Sequence, residues 1–294
     1  MKYLAMILGL MVAGRHVAAE PLVVDDRELM VKMCASIGAL AKGGKAMKGS
    51  ALIKALAAAP EGAVVTLPVG LAAAKTYEER VKSVFMLAAV YNCGKCDKWH
   101  PMGAATAWCL TSDGVMVTNH HVFEKAKGEA WGVFGMDGKA YRVTGILAKN
   151  KAADVVLFKV EAENLTPLAL GDPAEVGARV SIISHPDGRF YVNTGGEVAR
   201  YAKAQGRDEK GGYWMAVTAE YAKGSSGGPV MDADGRVVGM VSNTQSITYG
   251  PQGKDPMKPQ GPHQMVIRNC VPVAAISALV KTPEAAPAKD GEEP

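Results

Sequence analysis

From Val84 onward, apolar, β-branched and aromatic residues come in short runs, each closed by Gly, Asp or Asn. The first runs from Val84 to about Tyr91, followed by Thr106–Leu110, Val115–Asn119, Ala130–Phe134, Ala140–Leu147 and Val155–Val160. A second set holds Val180–Ser184, Phe190–Val198, Tyr213–Thr218, Gly228–Met231, Val237–Ser242 and Gln264–Ile267. Two sets of six short runs predict a sandwich or barrels rather than alternating strands and helices. The link between them, Glu161 to Gly177, is polar and carries Pro167 and Pro173. Thr76-Tyr77-Glu78-Glu79 has capping-box spacing and predicts a helical turn before the first strand. Pro272 to Lys281 reads as a closing helix, and Thr244 to His263, with four prolines, as an exposed loop.

Before Thr76 the period changes. Asp25-Asp26 precede Leu29, Met30, Met33, Ile37 and Leu40, the spacing of one helical face behind an acidic first turn. Gly43-Gly44 ends it, and Leu52 to Ala59 forms a second helical run stopped by Pro60. Residues 20–75 are thus expected to be a helical extension, acting as a propeptide, a docking segment or a packing element. Lys2, the apolar run Tyr3–Val12 and Val17-Ala18-Ala19 read as a signal peptide over 1–19. An uncleaved anchor is the alternative, although Gly14-Arg15-His16 leaves the run short of the roughly 20 residues a span needs. Residues 282–294 are too polar to pack and read as a disordered tail. The expectation is an exported protein, periplasmic or secreted, with no integral membrane segment once the leader is removed.

Composition adds exclusions. Thirty-three basic against 29 acidic residues give a net charge of only +4 in 294 residues. No dense basic cluster with interleaved aromatics stands out, which argues against nucleic acid as a partner. At 48% hydrophobic content the chain can build its own core, so its five cysteines are not needed as a scaffold. Their odd number leaves at least one thiol unpaired within a monomer.

Three short segments carry chemistry: Thr118-Asn119-His120-His121-Val122, Asp154-Val155-Val156-Leu157 and Gly224-Ser225-Ser226-Gly227-Gly228-Pro229. Counted from His121, the order is His, Asp, Ser at intervals of 33 and 72 residues. A serine hydroxyl needs a neighbouring base to act as a nucleophile at neutral pH. Imidazole is that base, and a buried carboxylate holds its tautomer. The glycines let the chain turn so that the N–H groups of Gly224 and Ser226 converge on an oxyanion. His120 is the rival base, and Asp172, in a Leu-Gly-Asp turn, the rival acid.

These segments resemble the chymotrypsin-fold (trypsin-like) serine peptidases, and among them the bacterial Deg-like, or high-temperature-requirement, branch. Leu168-Ala169-Leu170-Gly171-Asp172, Ser184-His185-Pro186-Asp187-Gly188 and Gly235-Arg236-Val237-Val238-Gly239 extend the match over residues 76–281. The resemblance implies an all-β fold of two six-stranded antiparallel barrels with a C-terminal helix. It implies a serine endopeptidase acting on protein or peptide substrates without a cofactor, with catalytic residues His121, Asp154 and Ser226 and an oxyanion hole at Gly224 and Ser226. Ala105-Thr106-Ala107-Trp108 departs from the Gly-Ser-Gly-Phe type of run usual there. The chain also ends soon after the closing helix, leaving no room for the PDZ domain common in that branch. Glu220, Met240, Val241 and Ser242 are the pocket candidates. Met240 and Val241 point to a small or apolar substrate side chain, and Glu220 is either a selector of basic residues or an exposed loop acid.

Cys93-Gly94-Lys95-Cys96-Asp97-Lys98-Trp99-His100 fits none of this. Cys93, Cys96 and His100 offer three zinc ligands. A structural disulfide and a redox pair are the alternatives. Cys34, Cys109 and Cys270 lie in apolar contexts that suit packing.

Overall fold

Helix α1, Asp26–Lys42, begins where Asp25 Oδ1 accepts the Glu28 N–H at 2.9 Å, one of the four donors a helix start leaves unpaired. The structure, a computed structural model, describes residues 22–281 apart from 45, 63–64, 69, 204–211 and 250–261. The leader at 1–19, the tail at 282–294 and most of the four-proline loop lie outside the described residues. Helix α2, Gly49–Ala58, follows, then strand β1, Val65–Thr66. Helix α3, Tyr77–Arg80, has the Thr76–Glu79 capping box in full, and a single 3₁₀ turn at Val81–Ser83 leads into the first long strand.

The first barrel is built from β2 (Val84–Asn92), β3 (Trp99–Cys109), β4 (Val115–Thr118), β5 (Ala130–Phe134), β6 (Ala140–Asn150) and β7 (Val155–Val160). Its order is β2-β3-β4-β7-β6-β5, and it closes by antiparallel pairing of β5 with β2. A short helix α4, His120–Glu124, follows β4. The second barrel uses β8 (Arg179–Ser184), β9 (Val192–Lys203), β10 (Tyr213–Val217), β11 (Pro229–Met231), β12 (Val237–Thr248) and β13 (His263–Pro272). Its order is β10-β13-β12-β11-β8-β9, closed by β9 on β10. Closure pairs every edge, which is how two sets of short strands avoid open sheet borders.

Two expectations need correction. The supposed loop starts later than Thr244, because β12 runs on to Thr248 and pairs with β13 as far as His263. The closing helix is only α5, Val273–Ser277. Val280–Lys281 instead form β14, which pairs in parallel with β1. A strand edge offered by the N-terminal extension outcompetes another helical turn there.

The extension is packed into the barrels. Strand β2 is buried on both faces as far as Val90. Phe85, Leu87 and Ala89 share a core with Leu52 and Leu56 of α2, while Met86, Ala88 and Val90 share one with Met33 and Ile37 of α1. A Cβ at Gly38 would lie 2.1 Å from the Trp99 ring, so only glycine lets α1 come this close to β3. Lys149 Nζ closes the end of α2 by donating to the carbonyls of Leu56 and Ala57 at 2.9 and 2.8 Å. Asp26 Oδ1 accepts the Phe190 N–H at 2.7 Å and so ties α1 to the second barrel.

Candidate active site

Strand β4 delivers His121 just past its end, and the turn before β7 delivers Asp154 with φ +64°, a left-handed backbone unusual for a residue with a side chain. The pairing of Thr118 with Val156 holds those two strand ends together. His121 Nδ1 lies 2.9 Å from Asp154 Oδ2, and the His121 N–H donates to Asp154 Oδ1 at 3.0 Å. His121 Nε2 lies 3.1 Å from Ser226 Oγ. Asp154 is 4% exposed. Burial pushes its carboxyl up, but hydrogen bonds from His121 and Ser242 outweigh this and hold it below the usual carboxylate range. The structure therefore joins His121, and not His120, to the acid and the serine. His120 is buried at the start of α4 with its basicity lowered by that burial, and Asp172 is exposed in the interbarrel link.

The turn bearing Ser226 is held by the other barrel as well as its own. Thr106 of β3 donates its N–H to the Ser226 carbonyl at 2.8 Å and its hydroxyl to the Gly224 carbonyl at 3.0 Å. The sequence departure at Ala105–Trp108 thus contains the residue that anchors the nucleophile turn. A Cβ on Gly227 would sit 2.0 Å from the Thr106 carbonyl, and one on Gly224 2.4 Å from the His185 carbonyl, both at positive φ. Only glycine fits such turns. Ser225, fully buried, accepts from the Ser184 hydroxyl at 2.9 Å.

The orientation of the Lys223–Gly224 peptide follows from one contact. The Asp187 N–H donates to the Lys223 carbonyl at 2.6 Å. No peptide among the described residues is cis, so the Gly224 N–H points the opposite way, toward the cleft. Neither that N–H nor the Ser226 N–H donates to an acceptor among the described residues. The loop making the contact, 185–190, is itself gripped by Asp26 through Phe190. Beside these groups lies a cleft of about 220 Å³ lined by Leu87, Ala105, His121, Trp131, Gly224 and Ser226, among others; none of the described residues of 22–75 borders it.

The pocket candidates are distributed differently from expectation. Met240 and Val241 point into barrel cores and are essentially inaccessible. Strand alternation on a closed barrel buried both side chains, so they do not line the cleft. Glu220 is an exposed acid paired with Arg268 at 2.8 Å. Ser242 serves the acid instead, its hydroxyl donating to Asp154 Oδ2 at 2.6 Å, while its carbonyl accepts from Ser226 Oγ at 3.3 Å. Tyr221, in the Thr218–Lys223 segment that the resemblance also implies as pocket lining, sets its hydroxyl against the carbonyls of Asn243 and Asn269 at 2.9 Å each. The supporting roles of Asp26, Thr106, Ser184 and Asp187 were missed, although the Ala105–Trp108 run and the Ser184–Gly188 motif had singled out three of these residues.

Residues 105–240 match the family model described as trypsin-like peptidase domain. Curated relatives include a probable periplasmic serine endoprotease DegP-like from Halomonas elongata, 33% identical over 50% of this chain and 31% of its own. Another is the putative serine protease HhoB of Synechocystis sp., 32% identical over 50% of this chain and 36% of its own. A third carries a different name, anti-sigma-I factor RsgI9 of Acetivibrio thermocellus, 32% identical over 44% of this chain and 18% of its own. The chain thus spans about a third or less of the length of these relatives. An HtrA-type protease, AlgW, with a tripeptide, superposes with a TM-score of 0.52 at 18% identity, over 69% of this chain and 61% of that one. That likeness bears on the double-barrel fold alone. Residues 105–240 thus resemble a trypsin-like peptidase domain, and proteins named DegP-like serine endoproteases are among the chain's curated relatives.

Proposed function

We propose that the protein is an exported serine endopeptidase that hydrolyses peptide bonds of protein substrates through Ser226, His121 and Asp154. The observation that carries this is the continuous hydrogen-bond line from Asp154 through His121 to Ser226 Oγ, at 2.9 and 3.1 Å. Ser226 Oγ attacks the carbonyl carbon while His121 Nε2 takes its proton and returns it to the leaving amine. Asp154, itself steadied by Ser242, orients His121 and stabilises the imidazolium. The free N–H groups of Gly224 and Ser226 receive the oxyanion, each worth about 10²–10³ in rate in sites of this kind. These steps need no cofactor.

Three readings accompany this one. The relatives named as periplasmic, and the apolar start of the chain, support export with a leader at 1–19. Among the described residues no helix is long and apolar enough to cross a membrane. Residues 20–75 act as an integral brace of the peptidase domain at 76–281, in keeping with their core packing against the far side of cleft-lining residues such as Leu87 and Trp131. Tyr221 reaches from the segment leading to Ser226 across to β12 and β13 through the carbonyls of Asn243 and Asn269, an arrangement that favours small side chains on the acyl side of the cut bond. A fluorophosphonate probe tests the central claim. It should label the folded wild-type chain stoichiometrically and leave Ser226→Ala untouched; a folded wild type that takes no label is not a serine hydrolase.

A further inference from the structure

The β2–β3 hairpin ends in a cluster that the peptide-cleaving site does not use. Its register sets Asn92 opposite Trp99 and Tyr91 opposite His100, so the imidazole leaves the hairpin beside the loop 93–98. Gly94, at φ +68°, lets that loop turn back, and Asn92 Oδ1 accepts its N–H at 2.7 Å. The result brings Cys93 Sγ to 3.3 Å from Cys96 Sγ, and Cys96 Sγ to 3.1 Å from His100 Nε2. All three donor atoms lie within 4.8 Å of one another.

We propose that Cys93, Cys96 and His100 form a zinc site whose fourth position is filled by water or an outside donor. The donor set is that of zinc, two soft thiolates and an imidazole. Zinc–sulfur bonds of about 2.3 Å at the tetrahedral angle put two sulfurs about 3.8 Å apart, and a sulfur and a nitrogen about 3.5 Å apart. The cluster reaches both by opening a few tenths of an ångström, whereas a disulfide requires the sulfurs to close to about 2.05 Å. A disulfide would also give no role to His100 Nε2, which faces the Cys96 sulfur. Binding forms two Zn–S bonds and one Zn–N bond and releases the remaining thiol protons to solvent. No fourth Cys, His, Asp or Glu joins the group among the described residues, which leaves the open position. The other thiols are unsuited: burial pushes Cys109 and Cys270 up to about 12 and raises Cys34. Trp99, one residue before His100, packs over Gly38, so a bound ion would brace the hairpin against α1.

The test uses the full chain, reduced and stripped of metal, titrated with zinc and, as a spectroscopic probe, with cobalt(II). One equivalent of zinc should bind, raise the melting temperature and protect two thiols from alkylation. Cobalt should show thiolate charge-transfer bands and the intense visible absorption of tetrahedral sites. Cys93→Ser and His100→Ala, each still melting cooperatively, should bind at least about a hundredfold more weakly, since even outer-shell partners of a metal site cost 10–100-fold. Absence of stoichiometric binding by the reduced chain would overturn the proposal. So would unchanged affinity in His100→Ala, or reoxidation of Cys93 and Cys96 to a disulfide in the presence of equimolar zinc.

Discussion

The two barrels hold their shares of the cleft by different means. In the first, His121 and Asp154 sit at the ends of the paired strands β4 and β7, and the acid receives N–H, imidazole and hydroxyl groups directly. In the second, Ser226 and the oxyanion amides belong to a glycine-rich turn that meets β12 only past the serine, where Gly227 and Gly228 pair with Val241. Up to the serine that turn is fixed by contacts from outside it: two from Thr106 of the opposite barrel, one each from Ser184 and Asp187 and, at one remove, one from Asp26 of α1. The acid–base half is therefore rigid by strand pairing. The nucleophile half is adjustable, and its geometry depends on neighbours.

The largest expected effects fall on the residues that meet at the cleft. Ser226→Ala should lower kcat/KM on an unfolded protein substrate by about 10⁶, and Asp154→Asn, which presents the wrong tautomer, by about 10⁴. Near-wild-type turnover in either variant would remove the proposed mechanism. On the adjustable side, Asp26→Ala should cost about 10- to 100-fold in kcat with little change in KM, because loosening the 185–190 loop frees the Lys223–Gly224 peptide to turn; losing a donor outright costs about 10²–10³. An Asp26→Ala enzyme with full kcat would show that α1 only packs. Tyr221→Ala should widen acceptance toward larger side chains on the acyl side of the cut bond by roughly 10- to 200-fold, read by sequencing cleavage products.

The smallest effect concerns stability. His185 is 1% exposed, its Nδ1 accepts the Tyr191 N–H at 3.1 Å, and burial brings it down to about 3. The native state keeps it neutral while the unfolded chain, with a histidine near 6.5, takes up a proton. Stability from this group is complete above pH 6.5 and falls by about 1.4 kcal/mol per pH unit as pH drops toward 3. His185→Gln should flatten the melting-temperature profile between pH 6.5 and 4. An unchanged slope would mean that this loop contributes nothing to acid sensitivity.

Much of this molecule is readable from residue order. Short β-branched runs with glycine or acid breaks set the twelve barrel strands, since period and turn chemistry are local properties. Glycines flanking Ser226 and the order His, Asp, Ser carry a chemical requirement in the sequence itself. Elements with a distant partner were misjudged: Val280–Lys281 became a strand by meeting β1, and β12 and β13 lengthened by pairing with each other. Side-chain roles around the cleft followed the same rule. Met240 and Val241 belong to a core because the barrel closes over them, and Ser242 serves Asp154 because β12 brings it to a residue 88 positions earlier.

The sequence by itself determined two strand sets, a nucleophile turn that requires glycine, and a candidate base and acid. Only the tertiary structure decided which histidine faces the serine, how the oxyanion peptide is turned, and that an N-terminal helix bears on both. Local backbone preference is written in neighbouring residues. Hydrogen bonds such as those from Thr106 to the Gly224 and Ser226 carbonyls, or from Phe190 to Asp26, span 118 to 164 positions and exist only once the chain has closed.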